Sequence, residues 1–152
     1  MKIDLFEHPW LVVVRHVMDT LGAWLSMLFL RIFLAYEFFL AGVEKWRGEN
    51  WFAEIQNQFP FPFNLLPVDL SWSMAMWTEL LAPIALVLGL LTRFASLSLL
   101  VLTLVAWASV HATHGYNVCD NGFKMPLIYA LMLVPLLLSG AGKLSLDYWL
   151  SR

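Results

Sequence analysis

His111 and His114 stand three residues apart in the stretch SVHATHGYNVCDNGFK (109–124), and the chain's single cysteine, Cys119, follows. Imidazole and thiolate together are ligands for copper or zinc. The spacing H-x2-H-x4-C matches no zinc pattern, and it supplies three ligands at most. Interfacial hydrogen bonding and contact with a quinone headgroup are the other readings of these residues. A second group lies within apolar surroundings: Arg31 and Glu37 in one long run, and Glu79 in the next. An Arg or Asp at the centre of a membrane helix costs about 2.5–3.5 kcal/mol on insertion scales. Such residues face the bundle interior, pair with one another, and mark proton or ligand sites. A buried structural ion-pair network is the bland alternative for Arg31, Glu37 and Glu79.

These residues are carried by a chain made for lipid. Of its 152 residues 61% are hydrophobic and 13% charged, with a mean hydropathy of +0.72, which is the composition of a membrane protein. A formal net charge of −2 offers nothing to nucleic acid. One cysteine excludes an intrachain disulfide and a CxxC pair. The sequence has no CxxCH haem site, no Rossmann fingerprint and no iron–sulfur cysteine set. The stretch SGAGKLS (139–145) is not a P-loop: Leu137 falls at the earlier glycine position and Leu144 at the Ser/Thr position.

A bilayer core of about 30 Å takes about 20 apolar residues as helix. Four segments qualify, at roughly 21–46, 72–91, 94–113 and 125–142, with Pro83 in the second and Pro135 in the fourth. The expected architecture is an all-α, four-helix transmembrane bundle forming one domain over 1–152. The stretch LFEHPWLVVVRHVMD before the first span reads as an interfacial helix. No signal peptide is expected, because the first strongly apolar run is too long for one and is interrupted by Arg31 and Glu37. The first loop (47–71) is long, and its QFPFPFNLLP stretch reads as a structured, mostly non-helical cap. Lys2, Arg15, Arg93, Lys143 and Arg152 fall on one side, and Lys45, Arg47 and Lys124 on the other. Five against three places both termini in the cytoplasm. Trp46, Trp51, Trp72, Tyr116, Tyr148 and Trp149 lie near span ends, as an aromatic belt would.

Rise per residue then sets depth. Glu37 and Glu79 come out at similar depth in the outer half, with Arg31 below them and within side-chain reach. Glu44, seven residues beyond Glu37, shares nearly the same face. The expected site is an outward-facing polar cavity. Glu37 and Glu79 handle protons or a quinone ring there, and Arg31 fixes their charge. Glu44, Lys45 and Trp107 contact the cofactor, and His111, His114 and Cys119 face a metal.

The chain resembles the DoxX family of small four-span bacterial membrane proteins. The likeness rests on Arg31, then Gly42 and Lys45 as Gly-x-x-Lys, in RIFLAYEFFLAGVEK, followed by Glu79 and the LGLLTR that ends at Arg93. It covers residues 25–142. GENWFAEIQNQFPFPFNLLP, VHATHGYNVCDNGFK and GAGKLSLDYWL are further similar to the branch found beside maturation systems for copper-binding ribosomal peptides. The resemblance implies a bacterial inner-membrane protein of redox or copper stress handling, with a protein partner from such a system. Founding members of the family are linked to a thiosulfate:quinone oxidoreductase, so copper and quinone are the candidate cofactors. The rival readings are a membrane-anchor subunit of a quinone-linked oxidoreductase, a structural scaffold, and a small-solute transporter, the last requiring a homo-oligomer.

Overall fold

The computed structural model describes residues 8–152. Lys2, used above for orientation, and Leu5, Phe6 and Glu7 of the expected interfacial helix lie outside the described residues. Among the described residues all regular structure is helical. Four long helices carry the fold: α1 (Pro9–Arg47), α3 (Val68–Leu88), α4 (Thr92–Ala106) and α5 (Lys124–Ser139). Two short ones, α2 (Phe52–Ile55) and α6 (Leu146–Leu150), lie in the first loop and the C-terminal segment. The four expected apolar segments fall on these helices, although α1 begins twelve residues before the first of them. α1, α3 and the run Thr92–His111 are long and apolar enough to cross a membrane. α5 has 16 residues, about 24 Å at 1.5 Å per residue.

The separate interfacial helix is not seen. From Pro9 onward the chain is one helix of 39 residues, about 58 Å long. Pro9 sits at its first position, where a missing N–H costs nothing. Gly22 is the one weak helix former between the two expected pieces, and a single interior glycine, costing about 1 kcal/mol, does not break a helix. Lys45 and Arg47 end α1 with the cations its C-terminal dipole favours.

α1 packs on α3, α3 on α4, α4 on α5, and α5 returns to α1. Leu34, Ala35, Phe38, Leu86, Ala95, Leu99, Leu133 and Leu136 meet in the centre. Outward faces stay apolar and exposed, as with Phe29, Phe94 and Leu131, which suits lipid rather than water. Both internal prolines are accommodated without ending their helices.

The two ends of the bundle differ. At the cap end, the first loop folds over α3 through edge-on packing of Phe52 against Trp51, Phe59 and Trp72. Phe59 is buried there, so this loop is the structured cap its composition promised. At the turn end, α3 closes on Gly89 at φ 65°, a left-handed position that glycine takes freely. Leu91 follows at φ 49°, uncommon for a non-glycine residue. Asp147 holds this turn: its Oδ1 accepts from the Leu91 N–H at 2.8 Å and its Oδ2 from the Thr92 N–H at 2.9 Å. A carboxylate from the C-terminal segment thus caps α4, a service that no residue adjacent in sequence provides.

Candidate functional site

The site begins with Gly42. A methyl group there would lie 2.9 Å from the Glu79 carbonyl carbon, so only glycine lets α1 and α3 approach at this level. The close approach buries Glu79, which is 3% exposed. Lys45, three residues on and therefore on the same face of α1, reaches across to it. Lys45 Nζ donates to Glu79 Oε1 at 2.9 Å and sits 2.8 Å from Oε2. The pair is a two-pronged ion pair in apolar surroundings, where each charge needs the other.

Beside this pair lies a cavity of about 400 Å³, between α3 and α4 and under the aromatic cap. Lys45 and Glu79 stand in its wall, with Phe59, Met74, Val101 and Ser109 among its mostly apolar lining. A cavity of this size and character, with a few placed polar groups, is what small-molecule sites look like. Met74, Leu97 and Val101 also expose surface on the outer face of the helices, so the cavity wall is continuous with the apolar exterior. α4 changes pitch at this level. Trp107–His111 forms a π-helical turn, a distortion often found at functional sites. Ser109 on that turn is buried and donates to the Val105 carbonyl at 2.7 Å.

The other expected residues are distributed differently. Glu37 does not join Glu79. Its Oε2 accepts from the Tyr129 hydroxyl of α5 at 2.6 Å, while Glu79 is level with Gly42, five residues further along α1 and about 7.5 Å away by rise. Arg31 does not join either of them. It is fully buried, donates through Nη2 to the Leu144 carbonyl, and lies against Gly89 at the turn end. Rise counted from span ends does not fix the register of α1 against α3, and it leaves rotation open as well: Glu79 meets Gly42, while Arg31 reaches the turn end and Glu37 meets Tyr129 of α5. Glu44 is exposed and outside the cavity wall, and Trp107 stacks on Phe123 at 5.2 Å rather than lining the cavity.

Loop three (112–123), which joins the π turn to α5, is organised by its own hydrogen bonds. The Gly122 N–H donates to the Asn117 carbonyl and the Phe123 N–H to the Gly115 carbonyl. His111 Nδ1 lies 2.7 Å from the Asn121 carbonyl oxygen, a contact that makes this nitrogen the protonated one. His114 Nδ1 is 3.3 Å from the Thr113 hydroxyl, and Cys119 is a free, exposed thiol. Among the described residues no three His, Cys, Asp or Glu side chains gather as a metal-binding group. The expected triad of His111, His114 and Cys119 is therefore not assembled: one imidazole is committed to the loop's backbone and the thiol faces outward.

Tyr129 and the α4 wall of the cavity escaped the sequence reading. A tyrosine in an apolar run signals nothing until its partner is known. The spacing that places Gly42 one turn before Lys45 was the visible sign of the ion pair.

A helical membrane bundle whose tight α1–α3 contact buries a Lys–Glu pair beside an apolar cavity is the class defined by this fold and site. The sequence matches the DoxX family over residues 26–112, and the chain belongs to that family. Two relatives from Haemophilus influenzae, each described as an uncharacterized protein, are 60% and 32% identical to it. The first alignment covers 86% of this chain and 86% of the relative; the second covers 78% and 86%. No solved structure matches.

Proposed function

We propose that this DoxX-family membrane protein binds a lipophilic quinone-type ring in the cavity between α3 and α4, as an accessory component of a membrane redox system. The carrying observation is the apolar cavity of about 400 Å³ with the buried Lys45–Glu79 pair in its wall. Lys45 has three N–H donors and can offer one to a ring oxygen while another stays on Glu79 Oε1. Glu79 is the one carboxylate in the lining among the described residues and the natural proton acceptor there. The apolar faces of Met74, Leu97 and Val101 support entry from the bilayer. On this reading electrons come from a protein partner. The metal-handling alternative has no such support, because its donors do not converge.

The proposal includes a topology of four crossings in a bacterial inner membrane with both termini cytoplasmic. The charge asymmetry of the sequence and the ring of four packed helices support it. The cap end would then face outward.

The test is quinone content. Protein purified in mild detergent is extracted and its quinone quantified per chain, for the wild type, Glu79→Gln, and Ala75→Phe, which fills the cavity. Near-stoichiometric quinone in the wild type, lost in Ala75→Phe, is the expected result. A wild type that carries no quinone and takes up none from doped nanodiscs would refute the reading.

A further inference from the structure

The turn end holds a second, wider cavity of about 640 Å³. Arg93, Lys143, Thr92 and Ser145 supply polar wall, and Leu91 and Phe94 supply exposed apolar rim. It lies where α3 and α5 end and α4 begins, the level at which membrane helices meet headgroups. Trp24 is at the same place, its ring under the Lys143 ammonium at 5.6 Å, and interfacial tryptophans mark this depth.

Three features give this cavity a preference for anions. Arg93 and Lys143 are both exposed cations in its wall. Behind the wall, the Arg31 guanidinium lies against Gly89, which Ser145 also approaches. Arg31 is fully buried, and its Nε and Nη1 have no hydrogen-bond partner among the described residues. The Thr92 hydroxyl, also fully buried, lacks a partner in the same sense. The opposing charge is Asp147, whose two oxygens are already taken by the Leu91 and Thr92 N–H groups. Two exposed cations therefore line the cavity, Arg93 with one N–H already on the Leu138 carbonyl, and the one carboxylate in the lining among the described residues is committed.

We propose that the turn-end cavity binds the phosphate of an anionic phospholipid, with Arg93 and Lys143 on the headgroup and Leu91 and Phe94 against the start of the acyl chains. Basic pockets at helix ends recognise anionic headgroups in this way. The site is separate from the quinone cavity and does not depend on it. Phosphate is the shared chemistry of a lipid headgroup and the free ion, and the apolar rim assigns the lipid.

Native mass spectrometry of the full chain in detergent, titrated with phosphatidylglycerol, phosphatidylcholine or inorganic phosphate, tests this. Phosphatidylglycerol is expected to bind in preference to phosphatidylcholine. The Arg93→Gln/Lys143→Gln variant should bind it roughly thirtyfold more weakly, about fivefold per cation. Both side chains are exposed and give up only an Arg93 bond to the Leu138 carbonyl and the Lys143–Trp24 contact, so the variant is expected to keep its helical circular dichroism. The cap-end control Arg47→Gln/Lys124→Gln should leave the affinity within roughly twofold, because surface potentials fade within a Debye length. Equal binding of phosphatidylcholine, or equal weakening by the cap-end pair, would overturn the site. Inorganic phosphate displacing the lipid at comparable concentration would overturn the lipid assignment in favour of a free-ion site.

Discussion

Removing Lys45 alone should damage the bundle more than removing Lys45 and Glu79 together. In Lys45→Met the Glu79 carboxylate, 3% exposed, loses the ammonium that sits 2.8–2.9 Å from its two oxygens. Breaking a buried ion pair at one partner costs about 3–5 kcal/mol, because a charge is left without compensation. The Lys45 side chain retains 16% exposure, which places the expected loss near the lower end, about 3 kcal/mol. Glu79→Met should cost less, because the freed lysine lies in the last turn of α1 and can extend toward the cap-end surface. Lys45→Met/Glu79→Met removes both charges and keeps unbranched side chains of similar volume. Such replacements are neutral or stabilising in other proteins. The double variant should therefore recover at least about 3 kcal/mol relative to the sum of the singles. Reversible unfolding in mixed micelles, followed by circular dichroism, measures all four corners of the cycle. Additive losses, with no coupling beyond about 0.5 kcal/mol, would show that the two groups do not act as a buried pair and would remove the electrostatic basis of the site.

Gly42→Ala should separate α1 from α3 and destabilise the bundle by about 1–3 kcal/mol, since the new methyl falls 2.9 Å from the Glu79 carbonyl carbon. Gly22→Ala, with nothing within 4 Å, should instead stabilise α1 by about 0.5–1 kcal/mol, and the same unfolding measurement separates the two. Tyr129→Phe removes the 2.6 Å bond to Glu37 and should cost about 1.5–3 kcal/mol while leaving extracted quinone unchanged; loss of quinone would join Glu37 and Tyr129 to the site. Cys119, a free exposed thiol, should react in intact spheroplasts with a membrane-impermeant maleimide. Labelling only after permeabilisation would invert the proposed topology.

Composition alone determined that this chain is helical and lipid-embedded, since a mean hydropathy of +0.72 and four apolar runs leave backbone groups no partners but those within helices. One of the site's principal charges was also legible: Glu79 stands out because lipid penalises it wherever it points, whereas Lys45 was visible only through the Gly-x-x-Lys likeness to the DoxX family. The pairing was not legible, because rise per residue gives depth along a helix and says nothing about rotation around it. Arg31, Glu37 and Glu79 look like one cluster by depth, yet the packed bundle sends them to Leu144, Tyr129 and Lys45. The cavity belongs wholly to tertiary structure, since its walls come from α3, α4 and the aromatic cap. The same is true of the turn end, where Asp147 caps a helix that begins 55 residues earlier in the chain. The His and Cys stretch shows the converse. Its residue types suggest coordination, but loop three spends His111 on the Asn121 carbonyl, a bond that follows from loop closure rather than from ligand spacing.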